Sequence, residues 1–129
     1  MLSRDEILKV QDARIVEIPV SEWGASVCVR VMTGRQRDEF EQACQDARKK
    51  DGTIDIRGLK VRLLVQTICD ESGNPLFTKA DVETLNAKSS KALDQIFQVA
   101  QKLNALTNED VGELAGNLPG DQNGSSGSN

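Results

Sequence analysis

The side chains that most often carry out chemistry in proteins are scarce in this chain. Histidine is absent, which removes the commonest general base, the usual catalytic triads and most zinc sites. The cysteines Cys28, Cys44 and Cys69 form no Cys-x-x-Cys pair and each lies on an apolar face, so we interpret them as reduced, buried thiols. Paired carboxylates such as those of Asp5 and Glu6 stand at helix starts or turns, where they offset the helix dipole or face water. We therefore expect no catalytic residue, no metal site, no cofactor and no enzyme activity.

One acidic cluster has part of the spacing of a calcium-binding loop. Four side chains fall at positions 1, 3, 5 and 12 of such a loop: Asp70, Ser72, Asn74 and Asp81. Position 6, where the sharp turn requires glycine, is Pro75, and position 12 lacks the bidentate glutamate. We therefore predict an ordinary turn, in which Gly73 or Asn74 adopts the left-handed conformation and Pro75 prevents the helix from continuing.

Four other side chains are candidates for contact with a protein partner: Trp23, Arg30, Arg35 and Arg37. Trp23 is the only tryptophan and precedes a glycine, where an indole can either cover the core or anchor a partner. The three arginines surround one predicted junction between a strand and a helix. Their guanidinium groups can pair with Asp38, Glu39 or Glu41 of the same helix, or bind an acidic surface of another protein. The sequence leaves both alternatives open for each residue.

The candidates are positioned by a predicted β-hairpin that passes directly into a helix. Residues 14–20 and 26–32 alternate apolar and polar side chains, which is typical of strands with one buried face. Pro19 lacks an amide donor, so the first strand belongs at a sheet edge. The hairpin tip then carries Trp23 and Gly24. Because two strands alone are marginal in water, the hairpin needs cover from helices or a third strand from another chain.

Helix start signals follow the hairpin at regular intervals. Thr33 and Gln36 form a capping box, and the helix after it has an apolar stripe at helical spacing: Phe40, Ala43, Cys44 and Ala47. Residues 54–69 are apolar on two sides, with Ile56, Leu59 and Leu63 on one of them, which predicts a central helix. Three further helices are predicted after the caps Thr78, Ser89 and Thr107.

The two ends of the chain differ in composition. At the N-terminus, Ser3 and Glu6 form a capping box, so we predict a short helix over residues 4–11 with Ile7 and Leu8 facing inward. Residues 117–129 are rich in Gly, Ser and Asn and are predicted to be a disordered tail. The prediction is one α+β domain over residues 1–116, an N-terminal β-hairpin packed on a mainly helical body of about five helices.

Charge and hydropathy narrow the classes of partner. The net charge is −4 and the pI about 4.9, which argues against a protein that binds nucleic acid through a basic face. Residues 30–62 carry nine Lys/Arg against six Asp/Glu, whereas the rest of the chain carries seven against fourteen. Oppositely charged regions suit head-to-tail self-association or a charged partner, although a mixed solvated surface is the simpler interpretation. There is no apolar run of the ~20 residues that a membrane span needs, so we expect a cytoplasmic protein.

Several segments together resemble the tail assembly chaperones of long-tailed bacteriophages. These are Trp-Gly with an alternating strand and Met-Thr-Gly-Arg-x-Arg-Asp-x-Phe-Glu in residues 23–41, Asp-Glu-x-Gly-Asn-x-Leu-Phe-Thr-x-x-Asp-Val-x-x-Leu in 70–85, Lys-Ser-x-x-Ala-Leu in 88–93, and Leu-Asn-x-Leu-Thr in 103–107. The order and spacing of the segments carry the resemblance, which extends over most of residues 1–116. Gln36 is a departure, since the family pattern has Glu there.

The resemblance implies a protein that acts during assembly of the virion and has no enzyme activity. Members of the family coat the long, largely helical tape measure protein, help to recruit tail tube subunits, and self-associate into spirals. They work in the host cytoplasm and are absent from the mature virion. Some are also made in a longer form by ribosomal frameshifting, for which residues 117–129 are a natural place.

Two alternatives remain open at this point. A phage structural or connector protein retained in the virion would have the same composition, and only its presence in purified particles would distinguish it. A small cytoplasmic regulator that binds nucleic acid is the second alternative, although the acidic pI disfavours it.

Overall fold

The computed structural model describes residues 1–116, so the predicted tail at 117–129 lies outside the described residues. These residues form a three-stranded antiparallel sheet, in the order β1-β2-β3, packed against helices. The strands are β1 (Ile15–Val20), β2 (Ala25–Arg30) and β3 (Ile68–Cys69). The α-helices are α1 (Arg4–Lys9), α2 (Gly34–Asp46), α3 (Ile56–Thr67), α4 (Val82–Asn86), α5 (Ser90–Leu103) and α6 (Asn108–Leu114). The predicted α+β class is confirmed, with five helices after the hairpin.

The hairpin forms as predicted. Val20 pairs with Ala25 next to the tip, where residues Ser21–Trp23 make one turn of 3-10 helix. Gly24 closes this turn with φ of 70°, a left-handed conformation that glycine adopts without strain. β1 is an edge strand, which is the position that Pro19 requires.

The third strand corrects the prediction for residues 54–69. We expected Ile68 and Cys69 to be the last turn of a helix, but α3 ends at Thr67 and the two residues pair with β2. Ile68 lies opposite Val29, and both side chains are buried at 1% exposure or less. The hairpin thus obtains its third strand from its own chain, because extending the backbone after Thr67 buries Ile68 against the sheet.

α2 and α3 supply much of the core. The capping box at Thr33 is present, with the Gln36 amide donating to Thr33 Oγ1 over 3.1 Å. α3 is the central helix, as predicted, and it contacts α2, α4, α5 and β3. The side chains of Phe40 on α2 and of Leu59 and Leu63 on α3 are fully buried.

The predicted helices α4, α5 and α6 are confirmed with their caps. Thr78, Ser89 and Thr107 each accept a backbone hydrogen bond at the start of a helical segment. The inward face of α5 consists of Leu93, Ile96, Phe97 and Ala100, all at 4% exposure or less. Within residues 1–116, no helix is both long enough and apolar enough to span a bilayer.

The prediction for the N-terminal helix was wrong in one respect. α1 forms with its capping box, but Ile7 is 56% and Leu8 69% exposed, and no residue of α1 is buried. The reason is that α1 has only six residues and is separated from β1 by an exposed linker, residues 10–14. Its local hydrogen bonds define the helix, but its apolar side chains do not reach the core. Ile56 of α3, predicted to share an apolar stripe with Leu59 and Leu63, is likewise 49% exposed.

Candidate protein-binding surface

Trp23 stands at the tip of the hairpin, on the last residue of the 3-10 turn. The tip is attached to the start of α5, because Ser89 Oγ donates to the Glu22 carboxylate over 2.9 Å and Gln95 Nε2 donates to Pro19 O over 2.9 Å. The indole is half-buried and packs against the core from outside. It therefore covers part of the core and still presents a face to solvent, so the two alternatives for Trp23 are compatible.

The solvent-facing side of Trp23 forms one wall of an apolar groove, which we call the Trp23 groove. Its volume is about 370 Å³. It is lined by Trp23, Phe77, Asp81, Thr84, Leu85 and Lys88. Phe77 is half-buried and Leu85 forms the floor at 3% exposure, while Asp81 and Lys88 supply one charge of each sign. An apolar floor with a mixed charged rim suits an aliphatic side chain of a protein partner.

A second groove, the α2–α3 groove, runs beside the first and shares Phe77 with it. It has a volume of about 470 Å³. Ala43 of α2 and Val65 of α3 line its apolar part, and Glu39, Asp46 and Lys79 are the charged residues of its lining. Because an apolar strip between α2, α3 and Phe77 is bordered by charged residues, the groove has the form that accepts an amphipathic helix.

Arg30 is engaged inside the protein rather than free for a partner. Its Nε donates to Val31 O over 2.9 Å, and its Nη1 donates to Gly73 O over 2.8 Å. Gly73 has φ of 90°, as the turn predicted for residues 70–75 requires. Arg30 thus fastens the end of β2 to this turn and pairs with backbone carbonyls, not with the carboxylates of α2 that we named.

The other two arginines lie on the first turn of α2. Arg37 Nε donates to Glu41 Oε2 over 2.8 Å in an exposed ion pair between residues one helical turn apart. This is one of the predicted intramolecular pairs. Such exposed pairs contribute little to stability. Arg35 is exposed and makes no ion pair with any of residues 1–116. Of the three arginines, Arg35 therefore has the guanidinium group most accessible to a partner.

The structure does not bring the four predicted residues into one site. Trp23 and Arg30 flank opposite ends of β2, a strand that spans about 17 Å at ~3.3 Å per residue. Trp23 instead lines a groove with Phe77 and Leu85, neither of which was predicted to form a binding surface. Phe77 directly precedes the Thr78 cap, and the signal that could have indicated it is that it is one of only three phenylalanines in the chain and stands beside Leu76.

Outside the two grooves, the titratable groups with shifted pKa values include an ion-paired carboxylate and two buried thiols. Asp94 of α5 forms ion pairs with Arg57 (2.9 Å) and Lys60 (3.3 Å) of α3, and the neighbouring Arg57 guanidinium lowers the pKa of this carboxyl most strongly. Burial raises the pKa of the Cys44 thiol to about 11, and burial also raises the pKa of Cys69. Thiols with raised pKa values are poor nucleophiles at neutral pH.

One comparison with known proteins identifies a family, and another identifies a similar fold. A family model described as phage tail assembly chaperone matches residues 6–115. The fold is also similar to the solved structure of the bacteriophage HK97 tail assembly chaperone, with a TM-score of 0.52 and 18% sequence identity, over 78% of this chain and 86% of that one. At this identity the second likeness shows the fold alone. No curated protein matches the chain.

Proposed function

This chain belongs to the phage tail assembly chaperone family, and on that premise we propose that it binds the tape measure protein and helps to recruit tail tube subunits during tail assembly. It acts without catalysis, self-associates, works in the host cytoplasm and leaves before the virion is complete. The observation that carries the proposal is the match to the family model over residues 6–115.

The α2–α3 groove is the surface that we assign to the tape measure protein. A long, largely helical partner presents apolar side chains on one face of each helix, and these need an open apolar groove with a polar rim. The groove provides Ala43, Val65 and Phe77 for the apolar face. Its charged residues, Glu39, Asp46 and Lys79, then fix the orientation of the helix more than they add affinity.

Co-expression with a candidate tape measure protein tests the proposal. The chaperone is expected to keep the tape measure protein soluble and to co-elute with it in size-exclusion chromatography. A43R, which places a guanidinium in the apolar strip, should weaken this binding at least about tenfold because the charge must lose its water. Q45R is the matched control, since Gln45 is exposed on the same helix and lies outside the groove.

Two outcomes would count against the proposal. A tape measure protein that stays insoluble in the presence of the wild-type chain would refute the binding role. Detection of the chain in purified virions by mass spectrometry, at a fixed ratio to tail tube subunits, would instead support a structural or connector protein retained in the particle.

A further inference from the structure

The N-terminal segment exposes more apolar surface than any other part of residues 1–116. All of residues 1–14 are exposed, including Leu2 (60%), Ile7 (56%) and Leu8 (69%). A six-residue helix has little stability in water without packing, and the capping box of Ser3 and Glu6 compensates for only part of this. The apolar side of α1 thus lacks a partner within the described chain.

The described residues also form an apolar groove that none of residues 1–14 fills. The Trp23 groove offers the half-buried faces of Trp23 and Phe77 above Leu85, with Asp81 and Lys88 in its lining. α1 carries charges of both signs beside its apolar residues, with Arg4, Asp5 and Lys9 all exposed. The groove and α1 are therefore complementary in two respects. The apolar side of α1 can pack on the apolar floor of the groove, and the charged residues of α1 can pair with the charged residues of the rim.

The distances favour a groove on another molecule. α1 is attached at the Ile15 end of β1, whereas Trp23, one wall of the groove, follows the Val20 end. β1 spans about 17 Å, and the six Cα–Cα steps from Lys9 to Ile15 span at most about 22 Å when fully extended. A fully extended linker would therefore carry the end of α1 only about 5 Å past the end of β1, and none of residues 1–14 lines the groove in this structure. A second copy is free of this limit.

We propose that α1 of one copy docks in the Trp23 groove of a second copy, with Leu2, Ile7 and Leu8 against Trp23, Phe77 and Leu85. Each copy then contributes α1 to one neighbour and the Trp23 groove to another. Such a contact is heterologous and head-to-tail, so it continues into an open assembly unless a rotation closes it. The inference rests on the self-association contained in the proposed function and names the surfaces that carry it.

Two variants with opposite defects test the contact in the full-length chain. I7D/L8D disables the helix, and because both side chains are exposed it should leave the fold intact. T84R fills the groove from an exposed position of α4. Size-exclusion chromatography with light scattering should show that either variant self-associates at least about 100-fold more weakly than wild type, since two aliphatic side chains lose their burial.

The decisive measurement is a mixture of the two variants. T84R keeps an intact helix and I7D/L8D keeps an intact groove, so the mixture should form a one-to-one complex of twice the 14.1 kDa chain mass and nothing larger. Trp23 is the only tryptophan and reports directly on the groove, so its emission should shift to shorter wavelength in the mixture and in wild type, but in neither variant alone. Matched controls are Q11D/A13D, which adds the same charge in the exposed linker, and A87R, which adds the same charge outside the groove.

The outcomes separate this inference from the proposed function. Self-association that survives both variants would overturn the α1 contact but leave the chaperone proposal intact, as would a mixture that stays monomeric. Variants that lose the tape measure protein while still self-associating would assign α1 to that partner, which also overturns the inference. A wild-type chain that neither self-associates nor binds the tape measure protein would refute the chaperone function itself.

Discussion

Asn104, at the C-terminal end of α5, is expected to be the most sensitive polar residue outside the grooves. Its Oδ1 accepts a hydrogen bond from the Met32 amide over 2.8 Å, and its Nδ2 donates to Arg30 O over 3.3 Å and to Ala100 O over 2.9 Å. Asn104 thus ties the end of β2 and the approach to α2 onto α5. The perturbation that tests this role is N104A.

The magnitude follows from the bonds that are lost. A hydrogen bond contributes about 0.5–1.5 kcal/mol net, and a buried group left without a partner costs about 1–3 kcal/mol. N104A removes three hydrogen bonds, but these bonds are only half-buried, so water can reach some of the backbone groups that lose their partner. We therefore expect N104A to lower the free energy of unfolding by about 2 kcal/mol. For a domain of this size that corresponds to a fall in Tm of about 8 °C.

Urea unfolding followed by circular dichroism measures this change. The assay should be run at several protein concentrations, because self-association adds concentration-dependent stability. N108A is the matched control: Asn108 accepts one exposed hydrogen bond from Gln101, so its loss should change the stability by no more than about 0.5 kcal/mol. If N104A and N108A destabilise equally, the claim that Asn104 joins the sheet to the helices is refuted.

Three further predictions follow from backbone strain, carboxyl titration and thiol burial. Ala105 has φ of 54°, so A105G should raise the free energy of unfolding by about 1 kcal/mol in the same urea assay, and a loss of stability would show that the turn is not strained. Asp70 accepts hydrogen bonds from backbone amides of its own turn, and that of Asn74 contributes most to lowering its pKa below 3.8. The Asp70 carboxylate therefore stabilises the fold at pH values above the unfolded-state pKa, and this contribution is lost as the pH falls through the folded-state pKa. D70N should therefore be less stable than wild type at pH 7, with the difference narrowing below about pH 4, and a pH-independent difference would contradict this assignment. A thiol-specific chromogenic reagent should label at most Cys28 in the native protein and three thiols after unfolding, and rapid native labelling of Cys44 would contradict its burial.

Local signals in the sequence predicted most elements of the fold. The capping boxes at Ser3, Thr33 and Thr107 form as predicted because they depend on residues three apart. The errors at Ile68, at Ile7 and at Ile56 have one physical origin. Whether an apolar residue is buried depends on what lies opposite it, and that partner is remote in sequence. Ile68 packs opposite Val29 in the sheet, whereas Ile7 is not buried against any of residues 1–116.

The candidate surface was less predictable for the same reason. Trp23 was identified because a lone tryptophan beside glycine is visible in any window of sequence. Its groove was not, because Phe77 and Leu85 come from a distant segment that meets the hairpin tip only in the folded chain. Arg30 shows the converse, since its charge suggested a partner whereas two of its donors bond to Val31 O and Gly73 O.

The sheet edges bear on how copies of this chain can assemble. We had left open whether the hairpin needs a strand from another chain, and β3 removes that need on one side of β2. On the other side, β1 remains an edge, but Pro19 deprives its backbone of a donor, and proline on an edge strand discourages the addition of a further strand. Pairing of a further strand along the β1 edge is therefore a weak competitor of assembly through side chains, in which α1 binds in the Trp23 groove. It follows that substitutions of exposed apolar side chains, rather than changes to β1, should control the size of the assembly.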